Sequence, residues 1–273
     1  MVGTLPTLHD DDAEDEKEFN YIEGSGKGPE HWGEIHKEWA MCKNGEMQSP
    51  IDLSNQRVLV VPGLGKLDRS YKSANAILKN RGHDIMGRFK SMGLDICLNR
   101  FIGTHLLSTQ SVAERKPLHF SPDARKRKGV MGTYRYELEV HMVHESLDKK
   151  VAVVGIMYKF GRPDTFLSEL TEHIESIADS HEAEREVGVV DPRHVKIGSR
   201  MYYRYIGSLT VPPCDQGVMW TIVRKIRTVS REQVRVLRRA VSDDAERNAR
   251  PTQAINKRMI HLYRPQIVDG DGS

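Results

Sequence analysis

The stretches "YELEVHMV" (136–143) and "VAVVGIMYKF" (151–160) decide the class of fold that the sequence predicts. Both are short and rich in Val, Ile and Tyr, which is typical of β-strands. The first alternates polar and apolar residues, which indicates a strand with two different faces. The second is apolar on both faces, so we expect it to lie in the middle of a sheet. Similar patterns predict further strands at 57–61, 200–209 and 219–226.

Two amphipathic helices are predicted beside these strands, at 164–178 and 230–241. The first follows a Pro-Asp start and repeats apolar residues at helical spacing: Phe166, Leu170, Ile174 and Ile177. In the second, Ser230 and Gln233 form a capping-box pattern ahead of a buried stripe, Val234, Leu237 and Val241. The predicted class is therefore mainly β with short peripheral helices.

Charge and composition exclude several classes of function. The 273 residues carry a formal net charge of +3, which is too small to imply a polyanionic partner. Four arginines of the second predicted helix fit a solvated face better than a nucleic-acid surface: Arg231, Arg235, Arg238 and Arg239. No apolar stretch approaches the roughly 20 residues needed to span a bilayer. We therefore expect a soluble protein with no nucleic-acid partner and no membrane span.

One domain is expected between residues 19 and 266, since no repeat, low-complexity tract or linker divides the chain. Residues 1–18 are acidic and poor in hydrophobic residues, so we expect a disordered lead-in. Residues 267–273 are expected to form a flexible tail. The first residues have neither the cationic nor the apolar region of a signal peptide, which favours the cytoplasm.

The three cysteines, Cys42, Cys97 and Cys214, are too few for a disulfide scaffold. Their number fits one bridge plus one free thiol, or three buried thiols. Counting alone favours the buried thiols, because a free cysteine behaves as a small hydrophobic residue.

Three short patterns carry residues that could perform chemistry. Glu139 and His141 are two apart on a predicted strand, so their side chains share one face, where a carboxylate can fix the tautomer of a metal-bound imidazole. Thr210 precedes Val-Pro-Pro in "GSLTVPPCDQGVMW" (207–220), and His83 follows a glycine in "NRGHDIM" (80–86). Taken singly, these patterns are explained at least as well by a surface pair, a loop threonine and a loop histidine without special roles.

Together with five further motifs, these patterns make the chain similar to the α-type carbonic anhydrases, in particular to their plant branch. The motifs occur in the family's order: "GPEHWGE" (28–34), "MQSPIDL" (47–53), "NRGHDIM" (80–86), "LEVHMVHES" (138–146), "AVVGIMYKFGRPD" (152–164), "YYRYIGSLTVPPC" (202–214), "RTVSREQVR" (227–235) and "ARPTQAIN" (249–256). The resemblance covers about residues 19–266, except for about 100–132.

The resemblance implies a large, twisted, mostly antiparallel sheet, with zinc held by three histidines at the base of a cleft. Zinc lowers the pKa of a bound water to about 7, and the resulting hydroxide converts CO2 to bicarbonate. By this resemblance His141 is one zinc ligand, and Glu139 is its hydrogen-bond partner. Thr210 would orient the hydroxide, and His83 would be the proton shuttle.

The resemblance further implies an apolar CO2 pocket and a disulfide. The pocket residues would be Val153, Leu209, Val211, Val218 and Trp220. Cys42 and Cys214 fall at the family's disulfide positions, which favours a bridge between them and an oxidising compartment. We therefore expect a protein that is secreted or reaches the plastid by the secretory route, although the absence of a signal peptide favours the cytoplasm.

The chain departs from the family where the other two zinc ligands are expected. The plant members read approximately H-W-H-S-P-S-E-H there, whereas this chain reads "LHFSPDAR" (118–125). With one residue deleted, His119 keeps the first ligand and the second histidine is missing. Without the gap, Leu118 and Phe120 replace both histidines. The glutamate that orients the threonine is replaced by Ala124.

An incomplete ligand set predicts weak zinc binding, because affinities of about 10–16 kcal/mol come from complete sets. His141 and His119 are the zinc ligands that the sequence still offers. We therefore expect CO2 hydration to be weak or lost. The alternative is a non-catalytic carbonic-anhydrase-like protein that serves in storage or binding.

Overall fold

The computed structural model of the chain describes residues 18–53, 58–89, 94–100, 136–178, 180, 183–241 and 248–265. Within these ranges eleven strands form one sheet. They are β1 (Val58–Val60), β2 (Ala74–Asn80), β3 (Ile85–Phe89), β4 (Leu94–Arg100), β5 (Leu138–Glu145), β6 (Val151–Phe160), β7 (Glu184–Val190), β8 (Tyr202–Ser208), β9 (Gln216–Val223), β10 (Arg227–Val229) and β11 (Ile260–Tyr263).

Short helices accompany the sheet. They are α1 (Trp32–Ile35), α2 (Met41–Asn44), α3 (Thr165–Glu175) and α4 (Arg231–Ala240), with 3-10 turns at Lys37–Trp39, Pro62–Leu64 and Pro192–His194. Along the described chain, no helix combines the length and the apolar character needed to cross a membrane. The predicted class, mainly β with short peripheral helices, is confirmed.

The order of the strands places β6 in the middle of the sheet, as its two apolar faces predict. The neighbours follow one another as β1-β11-β8-β9-β6-β5-β4-β3-β2-β7, and β10 pairs with β6. Three pairs run parallel, namely β1 with β11, β6 with β9 and β10 with β6, and the other pairs on this path are antiparallel. The expected large, mostly antiparallel sheet is therefore confirmed.

Some element boundaries differ from the predicted ones. The strand predicted at 219–226 is Gln216–Val223, because Gln216 already pairs with the end of β8. The helix predicted at 164–178 ends at Glu175, and Ile177 is buried in the turn that follows. Periodicity reports which residues are buried, but a buried residue in a turn fits the pattern as well as one in the helix.

The two faces of the sheet are covered by different sets of side chains. On one face, the apolar stripes of α3 and α4 join strand residues in the largest cluster, which includes Leu98, Ile156, Phe166, Leu170, Val234 and Leu237. The capping box predicted for α4 is present, since Ser230 Oγ accepts a hydrogen bond from the Gln233 amide at 3.1 Å. A second cluster, around Trp220, covers part of the other face. The candidate site lies on this second face.

A disulfide joins the N-terminal segment to the loop at 209–215. It connects Cys42 with Cys214, which confirms the pairing that the resemblance implies, and it leaves Cys97 as a buried free thiol. Gln48 Nε2 donates a hydrogen bond to the Cys214 carbonyl at 3.1 Å. This loop is therefore held from the N-terminal side by both a covalent bond and a hydrogen bond.

Arg250 is buried beneath the same segment and satisfies three of its oxygen atoms. Its Nη2 donates to the Cys42 carbonyl at 2.7 Å, and its Nη1 donates to Gln48 Oε1 at 2.7 Å and to the Ser49 carbonyl at 2.9 Å. The guanidinium also lies 5.6 Å from the centre of the Trp32 ring. Burial lowers the pKa of Arg250 to about 10, which reflects the cost of keeping its charge away from water.

We expect Arg250→Met to lower the free energy of unfolding by about 3 kcal/mol, because three buried acceptors lose their donor. Urea denaturation measures the loss. Arg239→Met is the matched control, since Arg239 is exposed on α4 and its replacement should change stability by about 0.5 kcal/mol or less. Equal stability of the two variants would contradict the role assigned to Arg250.

The disulfide predicts the number of thiols that a maleimide can label. Chain produced in an oxidising compartment and unfolded without reductant should take up one label, on Cys97, and reduced chain should take up three. Intact-protein mass spectrometry counts the labels. Three labels before reduction would show that the bridge does not form.

Candidate functional site

Strand β5 presents a short row of polar residues to the second face of the sheet. Glu139 and His141 are 2% and 4% exposed, although both side chains are polar. The residues that alternate with them, Val140 and Met142, point into the large cluster on the opposite face. The alternation along β5 therefore places a carboxylate and an imidazole side by side in a buried position.

The two side chains are hydrogen-bonded to each other. His141 Nε2 lies 2.9 Å from Glu139 Oε1. A carboxylate can only accept, so Nε2 carries the proton and donates it. The bond therefore selects one tautomer of His141, and Nδ1 is the nitrogen whose lone pair can bind a metal.

Trp220 forms a wall beside this pair. The rings of His141 and Trp220 are 4.9 Å apart between centroids and meet edge to face. On β6, Gly155 lies directly opposite His141 and Val153 lies opposite Trp220 of β9. The imidazole thus faces an aromatic surface that excludes water.

Most of the predicted CO2-pocket residues lie in one cluster. Val153, Val218 and Trp220 are buried together in the second cluster, and half-buried Leu209 packs against it. Val211 packs instead against the aromatic cluster that contains the disulfide. The structure therefore brings four of the five predicted residues together and places Val211 in a neighbouring cluster.

The loop at 209–215 carries Thr210, which is half-buried. The loop is closed by a hydrogen bond from the Leu209 amide to the Asp215 carbonyl and another from the Cys214 amide to the Val211 carbonyl, both 2.9 Å long. Trp220 Nε1 donates a hydrogen bond of 2.9 Å to the carbonyl of Ser208, the residue just before the loop. The same indole therefore contacts the imidazole and fixes the start of the threonine loop.

A buried hydroxyl network supports this region, and sequence patterns did not predict it. Ser49 Oγ lies 3.0 Å from Tyr205 Oη and accepts from the Ser208 amide at 3.0 Å. The rings of Tyr205 and Trp220 stack with an interplanar angle of 7°. Burial raises the pKa of Tyr205, and the negative charge of Glu139 raises it further, so the phenol is neutral beside the carboxylate.

His83 lies in the turn between β2 and β3 and is half-buried. Its ring centroid is 4.7 Å from that of Phe19 and 5.6 Å from that of Tyr21. Its backbone carbonyl accepts a hydrogen bond from Asn248. The predicted proton shuttle is thus held against the aromatic residues of the N-terminal segment, and its role stays a prediction.

The described residues offer an incomplete set of ligands for zinc. Among them, no group of three His, Cys, Asp or Glu side chains is placed to hold a metal ion. His141 fits one ligand position, because its second nitrogen is bonded to a carboxylate. His119, the other predicted ligand, lies outside the described residues.

His144 lies on the side of β5 opposite His141 and contacts a different set of groups. Its Nδ1 donates to the Ala152 carbonyl at 3.1 Å, and Tyr71 Oη lies 2.7 Å from its Nε2. The rings of Tyr71 and His144 also stack, with centroids 5.7 Å apart. Burial lowers the pKa of His144, although its backbone hydrogen bonds oppose that effect.

Two features near the site were not predicted from the sequence, and only the first of them had a usable signal. Gly155 interrupts an otherwise apolar strand, which often marks the close approach of another group. Arg250 stands in the motif "ARPTQAIN" (249–256), but a single arginine gives no indication that it is buried.

Comparisons with known proteins agree on one family. A family model described as eukaryotic-type carbonic anhydrase matches residues 27–264. Alpha carbonic anhydrase 7 of Arabidopsis thaliana is 52% identical over 257 residues, which are 94% of this chain and 88% of that protein. Dioscorin DB3L of Dioscorea polystachya is 45% identical over 258 residues, which are 94% of this chain and 90% of that protein.

Solved structures agree as well. The crystal structure of dioscorin complexed with ascorbate superposes with a TM-score of 0.77 at 38% identity, and the match covers 92% of this chain and 99% of that one.

The lowered pKa of His144 predicts how stability depends on pH. The folded chain keeps this imidazole neutral at a pH where the unfolded chain already binds a proton. The contribution of His144 to stability is therefore complete above the ordinary pKa of about 6.5 and is lost as the pH falls toward the lowered value.

We expect the stability of His144→Gln to fall less steeply than that of the wild type between about pH 7 and about pH 5. Urea denaturation at each pH measures the two slopes, and equal slopes would contradict the assignment.

Proposed function

The chain belongs to the eukaryotic-type carbonic anhydrase family, and we propose that it is a member in which the reversible hydration of CO2 to bicarbonate is weak or lost. One observation carries this proposal. The buried pair of Glu139 and His141 is complete, with a 2.9 Å hydrogen bond, whereas the stretch aligned with the other ligands offers only His119. The site thus keeps one well-prepared ligand and lacks at least one of the other two.

The proposed roles of the chain's own residues follow from their contacts. His141 would hold zinc through Nδ1, with Glu139 fixing its orientation, and His119 would be a second ligand. Zinc, when bound, supplies a hydroxide at neutral pH. Thr210 would orient this hydroxide from the threonine loop, and His83 would carry protons toward solvent. Val153, Leu209, Val218 and Trp220 would form the apolar surface beside which CO2 waits, with Val211 next to it.

Two ligands are too few for firm zinc binding, because each missing imidazole removes a large part of the interaction that a complete set provides. In the sequence, Ala124 takes the position of the glutamate that, by the resemblance, is hydrogen-bonded to the threonine. A threonine without that partner can donate its hydroxyl proton in more than one direction, so the hydroxide would be oriented poorly. Both defects reduce the rate of hydration.

The compartment is proposed from the disulfide. A bridge between Cys42 and Cys214 forms and persists in an oxidising environment, which supports secretion or delivery to the plastid by the secretory route. CO2 and bicarbonate are the proposed small-molecule partners of the site.

The experiment compares the wild-type chain with His141→Gln. Both proteins are dialysed, their zinc content is measured by atomic absorption, and CO2 hydration is followed by stopped flow with and without a sulfonamide. We expect less than one zinc per chain and a wild-type hydration rate close to the uncatalysed rate, so that His141→Gln can remove only a small residual activity. One zinc per chain, together with hydration that the sulfonamide inhibits and His141→Gln abolishes, would contradict the proposal.

A second candidate function, non-catalytic storage or binding, is supported by the similarity to the dioscorins. Because one solved dioscorin structure is a complex with ascorbate, ascorbate is a suitable probe. Saturable binding of ascorbate by the wild-type chain, measured by calorimetry, would favour a binding role. If no heat is detected at millimolar ascorbate, that ligand is excluded.

A further inference from the structure

We propose that Gly155 is a positioning residue for His141, because the missing side chain of Gly155 leaves the space in which the Glu139 carboxylate lies. Gly155 stands at the centre of β6, directly opposite His141 on β5 and directly opposite Ile222 on β9. Its neighbours within the sheet are therefore β5, which carries His141, and β9, which carries Trp220. This inference concerns the orientation of His141 with or without a metal, so it does not depend on the proposed reaction.

The distances around Gly155 leave no room for a methyl group. A Cβ built at this position would lie 3.0 Å from Glu139 Oε1, 2.7 Å from Ile222 Cδ1 and 3.8 Å from Trp220 Cζ3. Nonbonded carbon atoms are in favourable contact at about 3.5–4.0 Å. The first two distances are therefore too short. The first involves the very oxygen that accepts the hydrogen bond from His141 Nε2.

The strain cannot be relieved by a sideways shift of β6. Glu139 belongs to the neighbour on one side and Ile222 to the neighbour on the other, so moving away from one brings the Cβ closer to the other. Both side chains are buried, at 2% and 0% exposure, so neither has solvent to move into. A methyl group at this position must therefore displace the carboxylate. Since hydrogen bonds of this kind span about 2.7–3.2 Å, a displacement of a few tenths of an ångström weakens or breaks the 2.9 Å bond to His141.

Gly87 shows that a glycine in this sheet does not by itself imply such a role. It lies in the interior of β3 and is buried, like Gly155. A Cβ added there would be 3.4 Å from Leu78 Cδ2 and 3.7 Å from the Ile96 carbonyl oxygen, which are ordinary contacts. Gly87→Ala is therefore a matched control for the general effect of adding a methyl group to a buried strand.

The test compares Gly155→Ala and Gly87→Ala with the wild-type chain, all free of metal. Long-range 1H–15N NMR spectra report which nitrogen of His141 carries the proton and whether that proton is hydrogen-bonded, and His141→Gln identifies the resonance. We expect a downfield Nε2–H signal in the wild type and in Gly87→Ala, and loss of this signal or a mixture of tautomers in Gly155→Ala. An unchanged signal in Gly155→Ala would overturn the proposal.

A second variant separates the two close contacts if Gly155→Ala does not fold. Ile222→Val removes the Cδ1 atom, so the double variant Gly155→Ala/Ile222→Val retains only the contact with Glu139. Loss of the His141 signal in the folded double variant, but not in Ile222→Val alone, supports the proposal. A wild-type signal in the double variant overturns it. If neither variant that carries Gly155→Ala folds, while Ile222→Val and Gly87→Ala fold normally, the proposal is also overturned. Gly155 would then be required for the packing of β6 and not for the position of the carboxylate.

Discussion

The hydrogen bond between His141 Nε2 and the Glu139 carboxylate is the interaction around which the second face of the sheet is organised. Both groups are almost fully buried, and a buried carboxylate costs several kcal/mol unless it is hydrogen-bonded. His141 supplies this hydrogen bond, and three neighbours shape the space around the pair. Trp220 covers the imidazole, Tyr205 lies beside the carboxylate as a neutral phenol, and Gly155 leaves the space that the carboxylate fills.

The same elements connect this pair to the loop that carries Thr210. The Trp220 indole donates to the carbonyl just before the loop, and the disulfide between Cys42 and Cys214 holds the loop's far end. Arg250 fixes the segment on the other side of that disulfide. The carbonic anhydrase framework is therefore retained around the buried pair of Glu139 and His141, and the proposed change in activity requires no change in fold.

Much of the fold could be predicted from the sequence, for reasons that differ between elements. The central place of β6 follows from its two apolar faces, and the start of α4 follows from Ser230 and Gln233. The disulfide required the family resemblance, because three cysteines allow several pairings. The parallel pairing of β6 with β9 could not be predicted, since periodicity reports burial and says nothing of which strand lies alongside. The position of Val211 in the neighbouring cluster and the burial of Arg250 depend on contacts between residues far apart in the chain.

Diffraction at the zinc absorption edge, from crystals grown with excess zinc, locates any ion at His141 and counts the nitrogen atoms around it. We expect any ion found there to be bound by Nδ1 of His141 and by fewer than three imidazoles in total. A fully occupied zinc with three imidazole nitrogens at about 2.0–2.1 Å would contradict this expectation.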